Sequence, residues 1–303
     1  QTSLTVMTFN IWGGGANEQK PIDETVAVIK AVNADIIGVQ ETRLESDPCT
    51  AEVCPAAGES VAKKLADALG YFAYDQTATN DALWANAILS RYPIGQATPN
   101  DLGVTIVVAG RKVQVFNIHL DDAPYQPYQL LGIEYGPFPY LKTADEAVKA
   151  ASETRGPALK LLFDDMASAG EADATFVFGD FNEPSHRDWT EAAVKTARQP
   201  MVVAYPTVKA IEDKGFVKSR FGGITEDRAV FPDPAAKPAF TWTPTGDPAA
   251  TDDHHDRIDF ALARAKTLEV VAAGIVGEKA PEADIVVTPW PSDHRASYAK
   301  VKL

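Results

Sequence analysis

An α/β fold is predicted from three features of the sequence. Short runs of β-branched and aromatic residues recur along the chain and are separated by only a few stretches of helical periodicity. Several of these runs stop at Asn, Glu, His or Asp, the arrangement by which α/β enzymes present polar groups at strand ends. Finally, 303 residues with 45% hydrophobic and 23% charged side chains can bury a large core. No linker or internal repeat divides the chain, so one domain spanning residues 1–303 is expected.

Taken in order, residues 4–10 alternate Leu4, Val6 and Thr8 against Thr5, Met7 and Phe9 and read as a central strand ending at Asn10. A helix over 23–32 follows, with Ile22, Val26, Ala27 and Ile29 as core contacts. A strand over 35–40 delivers Glu41, Thr42 and Arg43. After a helix over 59–69, strands are predicted at 71–74, 87–90, 103–109 and 112–119, the last two joined by a Gly110-Arg111 turn. Residues 121–142 form a stiff insertion holding Pro124, Pro127, Pro137 and Pro139 among four tyrosines. A helix starts at Thr143, and Gly156-Pro157 is expected to interrupt it before it resumes to Met166. The run 175–178 is a buried strand, and Gly179 ends it. Asp180 and Asn182 leave it together, since a spacing of two places both on one face of an extended backbone. Ser185 is a plausible N-cap for a helix starting at His186. Residues 218–256 are loop-rich, and strands at 257–263, 268–276 and 296–301 close the chain.

The charge balance narrows the function classes. A net charge of −14 and a pI near 4.8 disfavour a grip on duplex nucleic acid, which ordinarily requires a basic face, and favour attraction of metal cations. No apolar run is long enough to cross a membrane. Cys49 and Cys54 sit in a short loop bounded by Pro48 and Pro55, where a disulfide is favoured over two unbonded thiols. That pairing, with a chain opening at Gln1, gives a secreted or periplasmic location as the expectation; a monomer is expected separately. His254 and His255, within the acidic run 252–256, are assigned to a solvated loop. His186 and Trp189 are assigned to a helix start and the core.

The polar residues at strand ends fall into six motifs: Thr-Phe-Asn10, Val-Gln-Glu41, Asn-Ile-His119, Gly-Asp180-Phe-Asn182, Arg-Ile-Asp259 and Ser-Asp293-His294. In this order they resemble the endonuclease/exonuclease/phosphatase superfamily over nearly the whole chain. The resemblance implies a four-layer α/β sandwich, two packed mixed β-sheets flanked by helices. It also implies divalent-metal-dependent hydrolysis of a phosphate ester. Hard cations, Mg²⁺ first and Mn²⁺ or Ca²⁺ as alternatives, suit carboxylate and amide oxygen. On this basis Asn10, Glu41 and Asp293 are metal ligands, with Glu41 foremost. Asp180 aligns or deprotonates a water, and Asn182 fixes water or phosphate through its amide. His294 is an acid/base group oriented by Asp259, and His119 donates to a phosphoryl oxygen or the leaving group. Arg43 and Asn86 are phosphate contacts, with a surface salt bridge the competing reading of Arg43.

The superfamily acts on nucleic acids, lipid head groups and small esters, so the fold does not choose among them. The acidic balance and the aromatic insertion after His119 favour a phosphodiester or monoester of a small or lipid-derived substrate. A secreted nuclease and a non-catalytic binding module are the alternatives. The complete set of polar residues argues against the second.

Overall fold

The computed structural model describes residues 2–45, 59–216 and 236–303. The Cys49–Cys54 disulfide expectation lies outside these residues. Strands β1 (Ser3–Asn10), β2 (Ile36–Gln40), β3 (Phe72–Gln76) and β4 (Asn86–Ser90) precede β5 (Ile94–Ala97), β6 (Gly103–Val108) and β7 (Arg111–His119). Then come β8 (Ala174–Asp180), β9 (Asp259–Ala265), β10 (Glu269–Gly277), β11 (Ile285–Val286) and β12 (Ala296–Lys302). One mixed sheet has the order β11-β10-β12-β1-β2-β4-β3, and a second has the order β5-β6-β7-β8-β9. Helices α1 (Ile22–Val32) and α2 (Ala62–Leu69) cover the outside of the first sheet. Between the two strand groups of the second sheet the chain forms α3 (Gln126–Leu131) and the long α4 (Ala144–Ala169), and later α5 (Glu191–Lys195) and α6 (Pro206–Ile211). The expected four layers are present.

Side-chain alternation builds those layers. On β1, Leu4 and Val6 point between the sheets, and Met7 and Phe9 point to α1. On β8, Phe176 and Phe178 enter the same inter-sheet core, and Val177 packs outward with Leu162 and Met166 of α4. Burying these aromatic and aliphatic groups contributes roughly 1.5–3 kcal/mol per side chain.

Near the site end, the inter-sheet layer turns polar. Asn117 of β7 is fully buried and donates through Nδ2 to the Val39 and Ala87 carbonyls, both at 2.9 Å, and to Gln76 Oε1 at 3.0 Å. Its Oδ1 accepts from Gln40 Nε2 at 2.7 Å. One carboxamide thereby joins β7 of the second sheet to β2, β3 and β4 of the first. Glycine at 38 makes the approach feasible, because a Cβ there would lie 2.7 Å from Asn117 Oδ1.

The structure departs from the sequence reading in several places, among them Ala27, which is exposed on α1. Helix α4 runs unbroken through Pro157, because Pro157 lies on its exposed face and Glu153, whose carbonyl loses its helical partner, is also exposed. Thr143 and Glu146 form the capping box that starts it. No helix begins at His186. Asp188 accepts from the Ser185 N–H at 2.9 Å and pairs with buried Arg257, which holds the segment in a turn, and the helix begins only after Thr190. Strand β5 escaped notice because it is a short edge strand without hydrophobic alternation. The insertion carries α3, with Pro127 in its first turn.

The 252–256 run is also not a solvated loop. Asp256 is fully buried and accepts from Trp189 Nε1 at 2.9 Å, Gln199 Nε2 at 3.1 Å and Tyr125 Oη at 3.1 Å. Burial pushes His254 down to about 4, so its neutral ring faces Gln199 Oε1 at 2.6 Å. Tyr128 donates to Asp253 at 2.6 Å, so this run anchors the insertion instead of binding a metal. Trp189 is a core residue, as expected.

If Asn117 joins the sheets, Asn117→Leu should strand two carbonyls and two side-chain amides. Urea unfolding should then show a loss of about 3 kcal/mol or more. A loss below about 1 kcal/mol would mean that the sheets are held by apolar packing alone.

Candidate active site

Strand register gathers the second sheet's contribution. His119 of β7 is opposite Asp180 of β8, and Asp180 is opposite Asp259 of β9. In the first sheet Asn10 is opposite Gln40, which places Glu41 beside it. Two of these positions hold left-handed backbone, Glu41 at φ 56° and Asn182 at φ 48°. Such conformations cost about 1 kcal/mol or more in a non-glycine residue and concentrate where function requires them.

The sheets meet at Asn10. Its Nδ2 donates to Asp180 Oδ2 at 3.0 Å and to Glu41 Oε1 at 3.1 Å, and its Oδ1 accepts from the Trp12 N–H. Asp180 Oδ2 also lies 3.5 Å from His119 Nε2 and 3.6 Å from His294 Nε2, so both imidazoles converge on one oxygen. The other Asp180 oxygen accepts from the Asn182 N–H at 3.0 Å, and Asn182 Nδ2 donates to the Leu120 carbonyl at 2.8 Å. His119 Nδ1 faces the Trp84 carbonyl at 3.3 Å, which turns Nε2 toward the cleft.

His294 Nδ1 and Asp259 Oδ2 are 2.8 Å apart in a buried pair. Burial works to keep His294 neutral, but Asp259, Asp180 and Asp293 outweigh it and raise its pKa well above the ordinary value. Burial pushes Asp259 up to about 6, against the pull of His294. At neutral pH the pair is therefore an imidazolium held by a carboxylate.

Glu41 and Asp293 are also raised, by burial first and, for Glu41, by Asp293 beside it. Glu41 Oε2 and Asp293 Oδ1 are buried without a hydrogen-bond partner among the described residues. Two crowded carboxylates with unsatisfied oxygens and a carboxamide alongside fit a hard divalent cation, which would relieve both costs. Asp180, Asp259 and His294 also bring one donor atom each within 4.8 Å of one another. His294 and Asp259 are already joined to each other, so that group reads better as a proton-transfer relay.

These residues line a cleft of about 730 Å³, with Glu41, His119, Asp180, Asn182, Asp293 and His294 on its floor. Arg43 and Asn86 do not line it. Arg43 is buried, not on the surface, with its guanidinium 5.0 Å from the Trp84 ring. Asn86 accepts from the Trp84 N–H at 3.1 Å, so both residues shape the segment carrying Trp84. The sequence reading missed Trp84 and Trp242, which line the walls, and anticipated Tyr135 only as part of the insertion. Trp242 packs 6.4 Å from the His294 ring and 5.7 Å from Tyr128, and Tyr128 meets Tyr135 at 5.8 Å.

Residues 7–294 match the sequence profile of the endonuclease/exonuclease/phosphatase family. The chain belongs to that family. It is a hydrolase of phosphoric ester bonds. It is 25% identical to an uncharacterised protein of Caenorhabditis elegans, covering 98% of this chain and 90% of that one. Its fold is similar to an endonuclease/exonuclease/phosphatase from Beutenbergia cavernae, with a TM-score of 0.54 and 19% identity over 100% of this chain and 72% of the other. It is also similar to a 3′ phosphatase from Neisseria solved with a product DNA hairpin, with a TM-score of 0.52 and 15% identity over 99% and 100% of the two chains.

Glu41→Gln should weaken Mn²⁺ binding by about tenfold or more, measured by titration calorimetry, while leaving the unfolding midpoint little changed. Unaltered affinity would remove Glu41 from the ligand set.

Proposed function

We propose that this enzyme hydrolyses a phosphodiester or monoester of a small or lipid-derived alcohol by in-line attack of water at phosphorus. The observation that carries this reading is the convergence of His119 and His294 on Asp180 Oδ2, beside the unsatisfied oxygens of Glu41 and Asp293. Asn10, Glu41 and Asp293 would hold a divalent cation, Mg²⁺ by the hardness of the donor set, which supplies positive charge to the phosphoryl oxygens when bound.

The remaining roles follow from hydrogen-bond geometry. Asp180 is fixed by Asn10 and by the Asn182 backbone, so its carboxylate orients and accepts a proton from a water. The free Asn182 amide hydrogen can hold that water or a phosphoryl oxygen. His119, with Nδ1 turned to a carbonyl, presents Nε2 to an oxygen of the ester. His294, protonated and braced by Asp259, transfers a proton at Nε2. The acid and base groups are thus supplied by both sheets and meet at one oxygen of Asp180.

The test is a double-mutant cycle on bis-p-nitrophenyl phosphate hydrolysis. His294→Ala should lower kcat by roughly 10²–10⁴-fold, and Asp259→Asn should lower it as well. The double variant should be little worse than His294→Ala alone. Fully additive losses would separate the two residues and overturn the pairing.

A further inference from the structure

The cleft has a charge pattern that the catalytic roles do not use. Above the floor its rim carries Glu45, Asp81, Asp121 and Asp122, all exposed, and among the described residues no Lys or Arg lines it. Arg43 is buried behind Trp84, and Arg155 is fully buried against Glu183 at 3.3 Å and Gln126 at 2.6 Å. A cation on the floor would offset Glu41 and Asp293, which leaves the four rim carboxylates uncompensated by the lining. Between them stand the aromatic surfaces of Trp84, Tyr135 and Trp242. Tyr135 donates to Asp122 at 2.6 Å, and burial first, then that hydrogen bond and the Asp122 charge, raise its pKa. Tyr135 is half-buried and lines the cleft beside Trp242 and Asp122.

We propose that this rim is a charge filter that selects the alcohol of the ester. Its carboxylates repel polyanionic chains, and the Trp84, Tyr135 and Trp242 surfaces receive an uncharged or cationic organic group. The inference rests on the phosphoesterase reading above and adds the substrate class. An enzyme that follows a nucleic-acid backbone gains affinity from each phosphate it neutralises, and that affinity falls with salt. Here each additional phosphate meets a carboxylate, so the field works against the chain and toward cations. Aromatic faces with carboxylates at their edges attract a cationic group at the same place.

The experiment compares kcat/KM at fixed Mg²⁺ for three probes: p-nitrophenyl phosphorylcholine, bis-p-nitrophenyl phosphate and a single-stranded decathymidylate. KCl is varied from about 20 to 500 mM, over which the screening length falls from roughly 20 to 4 Å. The filter predicts that decathymidylate hydrolysis rises about tenfold with salt and that phosphorylcholine ester hydrolysis falls, with the aryl diester nearly flat. Glu45→Gln/Asp81→Asn, at two exposed positions, should raise low-salt decathymidylate hydrolysis about tenfold and change the aryl diester less than twofold. Tyr135→Leu should raise KM for the aryl and choline esters several-fold with kcat little altered. Decathymidylate hydrolysis that falls with salt, or that ignores the rim substitutions, would overturn the filter and leave the phosphoesterase standing. Failure to hydrolyse any of the three probes with metal would count against the phosphoesterase reading itself, and the filter would fall with it.

Discussion

The structure depends on a polar contact placed where an apolar one would be expected. Asn117 lies between two β-sheets whose other inward residues are largely Val, Ile, Leu and Phe, and it ties β7 to three strands of the opposite sheet. Apolar packing is tolerant of small slides between sheets. A carboxamide with four partners is not, because a shift of one ångström would leave buried donors and acceptors unpaired. The pin lies two residues from His119 and contacts the residue before Glu41, so it sets the spacing between the two halves of the site. The Asn10–Asp180 contact makes the same connection on the floor of the cleft.

That spacing separates the carboxylates into two groups, Asp180 and Asp259 fully buried and Glu41 and Asp293 half-buried. Asp180 and Asp259 each have an imidazole nitrogen within 3.6 Å, whereas Glu41 and Asp293 each keep an oxygen that no described residue satisfies, as Asp259 Oδ1 also does. The first arrangement suits proton transfer, and the second suits a cation. One short segment, Ser292 to His294, serves both halves. Ser292 donates to the Asn10 carbonyl at 2.7 Å, Asp293 lines the cleft with Glu41, and His294 turns to Asp259. The local chain direction therefore assigns neighbouring residues to different chemistry.

Much of the floor was legible in the sequence because it follows from strand register. His119 and Asp180, which end apolar runs, and Asp259, at the start of β9, are adjacent once β7, β8 and β9 pair. The walls were less legible. Trp84 and Trp242 lie in segments without periodicity, and their positions depend on contacts with Arg43 and with Tyr125 and Tyr128, which come from other parts of the chain. Arg43 and Asn86 carry the residue types of phosphate contacts, but burial behind Trp84 gives them a shaping role. Pro157 was misread for a comparable reason: whether proline breaks a helix depends on which face it occupies, and that is set by packing.

The central claim is that groups from the two sheets act together on one phosphorus atom, with water as the nucleophile. The stereochemical course at phosphorus tests it most directly. A phosphorothioate diester of defined configuration, hydrolysed in ¹⁸O-enriched water, should give product with inverted configuration and a single solvent oxygen. Retention of configuration would require a covalent intermediate on the protein and would contradict direct attack by water.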